Sequence, residues 1–166
     1  MIGIDIVDLT DPLLQKRGER PLNLIKHPND QFPDDCNPFW LLWTAKEAVF
    51  KSFRKDKAFS PTDIEVQISQ RHQGIYNYQS DQYSGVILGN HHFVCAVGSM
   101  DMLPEFRIFY SPQASKSTFI RQKISESTNP LHKLEADELG LPIISPTRQL
   151  ISISHHHHYA AFAVSS

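Results

Sequence analysis

The sequence predicts an α+β protein in which small, mainly antiparallel sheets pack on one long helix. Three observations carry this prediction. Residues 1–9 alternate as a strand does, residues 38–53 carry the apolar stripe of a helix, and several later segments show strand and hairpin patterns. The chain has 166 residues, 40% of them hydrophobic, so we expect a single domain with a packed core. The alternative is two half-lobes, about residues 1–100 and 101–166.

The first strand carries a charged residue within an apolar run. The isoleucines at positions 2, 4 and 6 point to one face of the strand, and Asp5 lies on the opposite face. An ionised carboxylate in an apolar site needs a partner, because burying it unpaired costs free energy. Asp5 is therefore a candidate functional residue.

The long helix is predicted to begin at Pro38, with Asn37 as its N-cap, and to end near Phe53. A proline suits the first helical position because that residue needs no backbone N–H. Its apolar positions form one stripe: Phe39, Leu42, Trp43, Val49, Phe50 and Phe53. A short helical pattern also precedes it, near residues 13–17.

Three charged residues accompany this stripe. Lys46 occupies the position where the apolar stripe predicts its next apolar residue. The alternative is that its aliphatic stem packs along the edge of the stripe while its ammonium reaches solvent. Glu47 and Lys51 lie one turn apart, a spacing that also suits an ordinary surface ion pair. Asp5 and Glu47 together offer a sparse carboxylate site to Mg²⁺, with lysines for phosphate oxygens. The chain has no Gly-rich phosphate loop, which disfavours a nucleoside triphosphatase of the usual kind.

The remaining elements are short. Strands are predicted over residues 63–69, 83–88, 93–97 and 106–110, with Gly89-Asn90 as a hairpin turn. Residues 115–125 and 131–139 predict helices, and residues 150–164 predict a hairpin with a His-rich turn. A weak internal echo links His91-His92 and His157-His158, since each pair precedes an apolar strand.

The four histidines at positions 155–158 admit several interpretations. A purification tag is disfavoured because a well-formed strand follows the run. A structural metal site is disfavoured because consecutive histidines cannot easily all face one ion. Either one histidine has a role, or all four are exposed and inert. His155 is the best held of them, since it joins the strand directly beside Ser154.

Composition and charge limit the classes of binding partner that we expect for this protein. The net charge of -2 does not indicate nucleic acid or an anionic membrane, and no apolar run reaches the roughly 18 residues of a membrane span. Cys36 and Cys95 do not resemble a disulfide framework, and Cys95 is expected in the core. We therefore expect neither nucleic acid nor a membrane as a partner, and a cytoplasmic location.

Three short motifs follow one another along the chain. Gly3-Ile4-Asp5 has the form G-x-D, and residues 43–51 have the form W-x-x-K-E-A-x-x-K at every fixed position. Residues 152–155 have the form S-x-S-H, and the strand at residues 159–164 follows them. These motifs resemble those of the 4′-phosphopantetheinyl transferase superfamily, in the order of the short holo-acyl-carrier-protein synthase type.

This resemblance implies transfer of the phosphopantetheine arm of coenzyme A to a serine of an acyl or peptidyl carrier protein. Asp5 and Glu47 would bind Mg²⁺, and Glu47 or a metal-bound water would be the general base. Lys51 would hold a phosphate oxygen, and His155 would bind a phosphate of coenzyme A. Lys46 would contact the phosphates or order the loop that receives the carrier. Both a trimer and a monomer of two half-lobes fit the family.

The sequence also departs from the family pattern. Leu42 stands where the short synthases often have Arg, residues 54–57 replace a Gly-x-Gly, and Val7 stands where longer transferases have a second acid. Lys55 and Lys57 are candidates for the 3′-phosphate contact. These departures leave open a non-catalytic relative that binds coenzyme A or a carrier protein, and more remotely a His-rich metal-binding protein. A basic rim for an acidic carrier would consist of Arg17, Arg20, Lys26 and Arg54.

Overall fold

The computed structural model describes residues 1–16, 21–34, 38–53, 58–129, 132–138 and 140–165. These residues form two five-stranded antiparallel sheets and three α-helices, as the predicted α+β class requires. Sheet one contains β1 (Ile2–Asp8), β2 (Gln67–His72), β3 (Ile75–Ser80), β4 (Tyr83–Gly89) and β5 (Phe93–Ser99). Sheet two contains β6 (Glu105–Tyr110), β7 (Lys133–Ala136), β8 (Pro142–Ser145), β9 (Gln149–His156) and β10 (Tyr159–Val164). The helices are α1 (Pro12–Lys16), α2 (Pro38–Phe53) and α3 (Ser117–Ser127).

The two sheets have the same strand order. Sheet one runs β1-β5-β4-β3-β2 and sheet two runs β6-β10-β9-β8-β7, so the first strand of each pairs with the last. A helix of more than ten residues lies between the first two strands of each sheet: α2, which the short α1 precedes, between β1 and β2, and α3 between β6 and β7. The echo between His91-His92 and His157-His158 falls just before β5 and β10, which hold the same place in the two orders. The interpretation as two half-lobes stays a prediction.

Most predicted elements are confirmed, one is displaced and one is wrong. The strand predicted over residues 63–69 overlaps β2 only at residues 67–69, since Pro61–Asp63 form a 3-10 helix. The first strand, the helix from Pro38 to Phe53 and the final hairpin have nearly the predicted bounds. The helix predicted over residues 131–139 is wrong, because β7 forms there and pairs antiparallel with β8. Strands β3 and β8 were not predicted. Cys95 is buried as expected, whereas Cys36 and Asn37 lie outside the described residues.

The two faces of β1 meet different partners. Ile2, Ile4 and Ile6 pack with Ala161 and Ala163 of β10, so the even-numbered face joins sheet two. The odd-numbered face packs on α2 at very close range. A Cβ atom at Gly3 would lie 1.9 Å from the carbonyl oxygen of Ala48. Only glycine permits this approach, which brings Asp5 and the last turns of α2 together.

The sheets are joined where the free edge of β1 lies against β9. Three bonds at this β1–β9 seam each link a β1 N–H to a β9 side chain 148 residues later. The bonds join Ile4 N–H to Ser152 Oγ (3.1 Å), Ile6 N–H to Ser154 Oγ (3.3 Å) and Asp8 N–H to His156 Nδ1 (3.1 Å). Alternate side chains of β9 thus satisfy the backbone donors of an edge strand, which would otherwise be buried unpaired.

Among the helices of the described residues, none has the length and apolar character of a membrane-spanning helix.

Candidate active site

A cleft of about 480 Å³ lies between β1, α2 and β9. Asp5, Glu47, Lys51, Ser154 and His155 all line it. The structure therefore brings the predicted residues of the strand, helix and hairpin motifs to one place. Close packing brings the three elements together at the cleft. Gly3 allows β1 to lie against α2, and the seam bonds hold β9 against β1.

A hydrogen-bonded network links these elements through Asp5. The Lys51 ammonium donates to Asp5 Oδ1 at 2.7 Å, and the Ser154 hydroxyl donates to the same oxygen at 2.8 Å. Lys51 Nζ also lies 3.2 Å from Ser154 Oγ. Oδ2 of Asp5 accepts no such bond from the described residues. The carboxylate that the sequence left without a partner is thus paired, and it keeps one oxygen for a ligand.

Lys51 pairs with Asp5 across two elements, rather than with Glu47 one turn away on the same helix. Glu47 is half-buried and lines the cleft. Burial and the nearby Asp5 carboxylate raise the pKa of Glu47 above its ordinary value, and the Lys51 ammonium offsets part of this shift. Asp5 is therefore close enough to Glu47 for the two carboxylates to repel each other.

Lys46 lies away from this group. Its side chain is 0% exposed, and its ammonium donates to Asp30 Oδ2 at 2.6 Å and to the carbonyls of Ile25 and Pro61, both at 2.9 Å. These bonds use the three donors of the ammonium, so none remains for a phosphate in the cleft. The structure does not bring Lys46 to the predicted phosphate site. It instead ties together the segments that flank α2, around residues 25–30 and 61.

The histidines of β9 differ from one another. His155 is exposed and lines the cleft, where a phosphate could reach it. His156 accepts the Asp8 N–H with Nδ1, so its ring is neutral in this bond and carries the proton on Nε2. Burial lowers the pKa of His156, against the opposite influence of the Asp11, Asp8 and Asp5 carboxylates. His156 is thus a structural acceptor in the seam.

Two positions at which the sequence departs from the family pattern, Val7 and Leu42, are buried among other residues. Val7 is buried in β1 and also lines the cleft, so this position contributes no third carboxylate. Leu42 is fully buried in the core of sheet one and α2. Of the proposed basic rim, Lys26 is described and lies over the Phe32 ring at 5.4 Å. The other residues of that rim, and Lys55 and Lys57, lie outside the described residues.

Sequence reasoning missed the contact of Ser154 with the site. The serine belongs to the S-x-S-H motif, and its contact with Asp5 depends on a parallel alignment of two strands 148 residues apart. The signal that could have found it is the alternation Ser152, Ser154, His156, which places three polar side chains on one face of an otherwise apolar strand.

Comparison with known proteins adds the family. A family model described as the 4′-phosphopantetheinyl transferase superfamily matches residues 1–97. The match covers α1, α2, strands β1 to β4 and most of β5, with Asp5, Glu47 and Lys51, and it ends before Ser154 and His155. The chain therefore belongs to this superfamily, whose members are transferases that act on carrier proteins with coenzyme A. No curated protein and no solved structure matches the chain.

Proposed function

We propose that this protein transfers the 4′-phosphopantetheine group of coenzyme A to a serine of an acyl or peptidyl carrier protein, with Mg²⁺, as a holo-acyl-carrier-protein synthase does. The observation that carries the proposal is the meeting of Asp5, Glu47 and Lys51 in one cleft. Family membership supports the reaction class, and the geometry supports these residues as the site.

The donor set suits a hard divalent cation. Asp5 and Glu47 supply carboxylate oxygens, and Mg²⁺ typically binds one or two protein carboxylates together with water and substrate phosphate. Burial and repulsion from Asp5 raise the pKa of Glu47, and a cation between the two carboxylates would relieve the repulsion. Bound Mg²⁺ would neutralise charge on the pyrophosphate and on the leaving group. A site with only two carboxylates matches the buried Val7, where no third acid is available.

The residues of the chain then have separate tasks. Lys51, one turn below Glu47, supplies a positive charge for a phosphate oxygen, and His155 donates a hydrogen bond to a phosphate of coenzyme A. The carrier serine oxygen forms a bond to the phosphorus that bears the pantetheine arm, and the bond to 3′,5′-bisphosphoadenosine breaks. Glu47, or a water bound to the metal, accepts the serine proton. Ser154 holds Asp5 in its orientation.

The direct test incubates an apo-carrier protein with coenzyme A, Mg²⁺ and this protein, and measures the carrier by mass spectrometry. The expected result is a gain of one phosphopantetheine group per carrier. Glu47→Gln should lower the rate by roughly 10²- to 10⁴-fold, the usual contribution of a general base. The matched control is Glu126→Gln, an exposed glutamate on α3.

Two outcomes would contradict the proposal in different ways. Binding of coenzyme A without any gain of mass on acyl and peptidyl carriers would indicate a non-catalytic relative. Transfer that survives Glu47→Ala at the wild-type rate would leave the function intact and show that the site assignment is wrong.

A further inference from the structure

A second group of metal-binding side chains lies at the end of the β1–β9 seam. Asp8 is the last residue of β1 and is fully buried. Because side chains alternate along a strand, Asp8 lies on the face opposite Asp5, which is the even-numbered face that meets sheet two. It meets the turn between β9 and β10, where the His158 N–H donates to Asp8 Oδ2 at 3.1 Å. The carboxylate is fixed from the other side by Thr10, whose N–H and hydroxyl donate to Oδ1 at 2.8 and 2.6 Å.

The turn directs two consecutive histidines to the same side. His157 has a φ of 48°, a left-handed conformation that reverses the chain. The rings of His157 and His158 consequently lie together, with centroids 3.7 Å apart. Neighbouring histidines in an extended strand would point to opposite faces. The left-handed turn thus removes the geometric objection that the sequence pattern raised against a shared ion.

The potential ligand atoms converge. One carboxylate oxygen of Asp8 and one ring nitrogen each from His157 and His158 lie within 4.8 Å of one another. A tetrahedral ion with bonds of about 2.1 Å separates its ligands by roughly 3.4 Å, so each pair has to close by about 1.4 Å at most. Both histidines are only half-buried and have room to move inward. In the described part of the chain, this is the one group of three such residues.

Asp8 is ready to act as an anionic ligand. Burial opposes its ionisation, but the hydrogen bonds from Thr10 and from the His158 N–H outweigh burial and hold the pKa of Asp8 below its usual value. The same bonds fix the position of the carboxylate beside the two histidines.

We propose that Asp8, His157 and His158 form a binding site for Zn²⁺ or a similar borderline divalent ion, with water as the fourth ligand. Two imidazole nitrogens and one carboxylate suit zinc, whereas Mg²⁺ prefers oxygen ligands alone. This site and the Asp5 and Glu47 site differ in chemistry. They lie on opposite faces of β1, and about 10 Å of strand separates Asp5 from Asp8.

The bound ion would connect the two sheets. Asp8 belongs to sheet one, and the two histidines belong to the β9–β10 turn of sheet two. The ion would lie next to His156, the last bond of the seam, and two residues from His155 in the cleft. Zinc should therefore stabilise the junction on which the cleft depends, and the site does not rest on the proposed transferase function.

The experiment uses protein without a purification tag, stripped with a chelator and then exposed to Zn²⁺ in excess Mg²⁺. Elemental analysis after desalting should find one zinc per chain, and the Tm should rise with Zn²⁺. The double substitution His157→Asn and His158→Asn should abolish both effects. Asparagine tolerates the left-handed turn, so the variant is expected to fold.

The chain provides a matched control. His91 and His92 form a similar ring pair, with centroids 3.9 Å apart, in the corresponding turn of sheet one, and they belong to no group of three ligands among the described residues. His91→Asn and His92→Asn together should leave the zinc content and the Tm shift unchanged. Absence of retained zinc in the wild type, its retention in the His157 and His158 variant, or its loss in the control would overturn the proposal.

A measurement on the unaltered protein tests the same assignment. X-ray absorption at the zinc edge reads the ligands directly and should show two imidazole nitrogens with oxygen ligands. A spectrum with oxygen ligands alone would rule out the site, whatever the variants show.

Discussion

Lys51 and Asp5 form an ion pair between α2 and β1, with Nζ 2.7 Å from Oδ1. The same oxygen accepts the Ser154 hydroxyl at 2.8 Å, so one carboxylate links the helix, the first strand and the seam. The pair is only partly buried on the lysine side. Asp5 is therefore held by both neighbouring elements, while the ammonium still faces the cleft where we expect a phosphate.

Replacing Lys51 by Met should lower kcat/KM for coenzyme A by roughly 10- to 150-fold. This range corresponds to a hydrogen bond with a charged group, about 1.5–3 kcal/mol. Steady-state kinetics at varied coenzyme A concentration measures the effect. Lys123→Met, at a partly exposed lysine of α3 paired with Glu126, is the matched control and should keep the wild-type value. Equal activity of both variants would remove Lys51 from the site.

Ser154→Ala should lower the apparent affinity for Mg²⁺, measured from the dependence of activity on Mg²⁺ concentration, by about 10- to 100-fold. A loss of this size is expected when a partner of a metal ligand is removed. Ser152→Ala is the control, because Ser152 makes the neighbouring seam bond and contacts Ile4 instead of Asp5. Both variants should lose similar stability, but only the first should change the Mg²⁺ titration. If both shift the titration equally, Ser154 acts through the seam alone.

Gly3→Ala should destabilise the fold by about 1–3 kcal/mol, the usual cost of overpacking, and should also reduce activity. Its methyl group would collide with the Ala48 carbonyl at 1.9 Å and separate Asp5 from α2. Gly89→Ala is the control, since its nearest neighbours lie 3.8 Å away at an ordinary contact distance. Urea unfolding and the transfer assay measure the two effects. A fully stable and active Gly3→Ala protein would refute this account of the packing.

Lys46→Met should cost about 3–5 kcal/mol in the free energy of unfolding, because it leaves Asp30 buried without its partner. Adding Asp30→Asn should recover part of this loss, which a double-mutant cycle in urea measures. The double variant, once folded, should retain the wild-type KM for coenzyme A. A raised KM with intact stability would instead indicate that Lys46 contacts substrate.

The local features of the site could be predicted from the sequence, and the long-range ones could not. Asp5, Glu47 and Lys51 were found because a charge within an apolar strand or helix is visible in a short window. The partner of Lys46 was missed because Asp30 lies in an irregular segment with no periodic pattern. The contact of Ser154 was missed because no local pattern states which strands lie side by side.

The error at residues 131–139 has a related cause. The segment is short and has a few apolar residues at helical spacing, so propensity alone favours a helix only weakly. Pairing with β8, including Leu134 opposite Ile144, outweighs that preference. Elements whose identity is decided by a neighbouring strand are the ones that a local pattern predicts least well.

The raised pKa of Glu47 gives a pH dependence with a definite sign. In the metal-free protein, the folded chain holds this proton more tightly than the unfolded chain does, because burial and Asp5 oppose ionisation. Its contribution to stability is present below the ordinary glutamate pKa and is lost as the pH rises through the raised value. Urea unfolding from acidic to neutral pH should therefore show a decline that Glu47→Gln flattens.

Glu126 is the control for this titration, because its pKa is shifted in the opposite direction to that of Glu47. Hydrogen bonds from Lys123 and Gln122 lower the pKa of Glu126, so any contribution of this residue is lost as the pH falls. Glu126→Gln should leave the decline intact. A wild-type profile that matches that of Glu47→Gln would contradict the proposed environment of Glu47.

The most direct test of the site is a Mn²⁺ titration followed by electron paramagnetic resonance, with coenzyme A present and with His157 and His158 replaced by asparagine to remove the second site. The account predicts one bound Mn²⁺ per chain, lost when either Asp5→Asn or Glu47→Gln is introduced and retained in Glu126→Gln. Full binding in either of the first two variants would show that the two carboxylates do not hold one ion together.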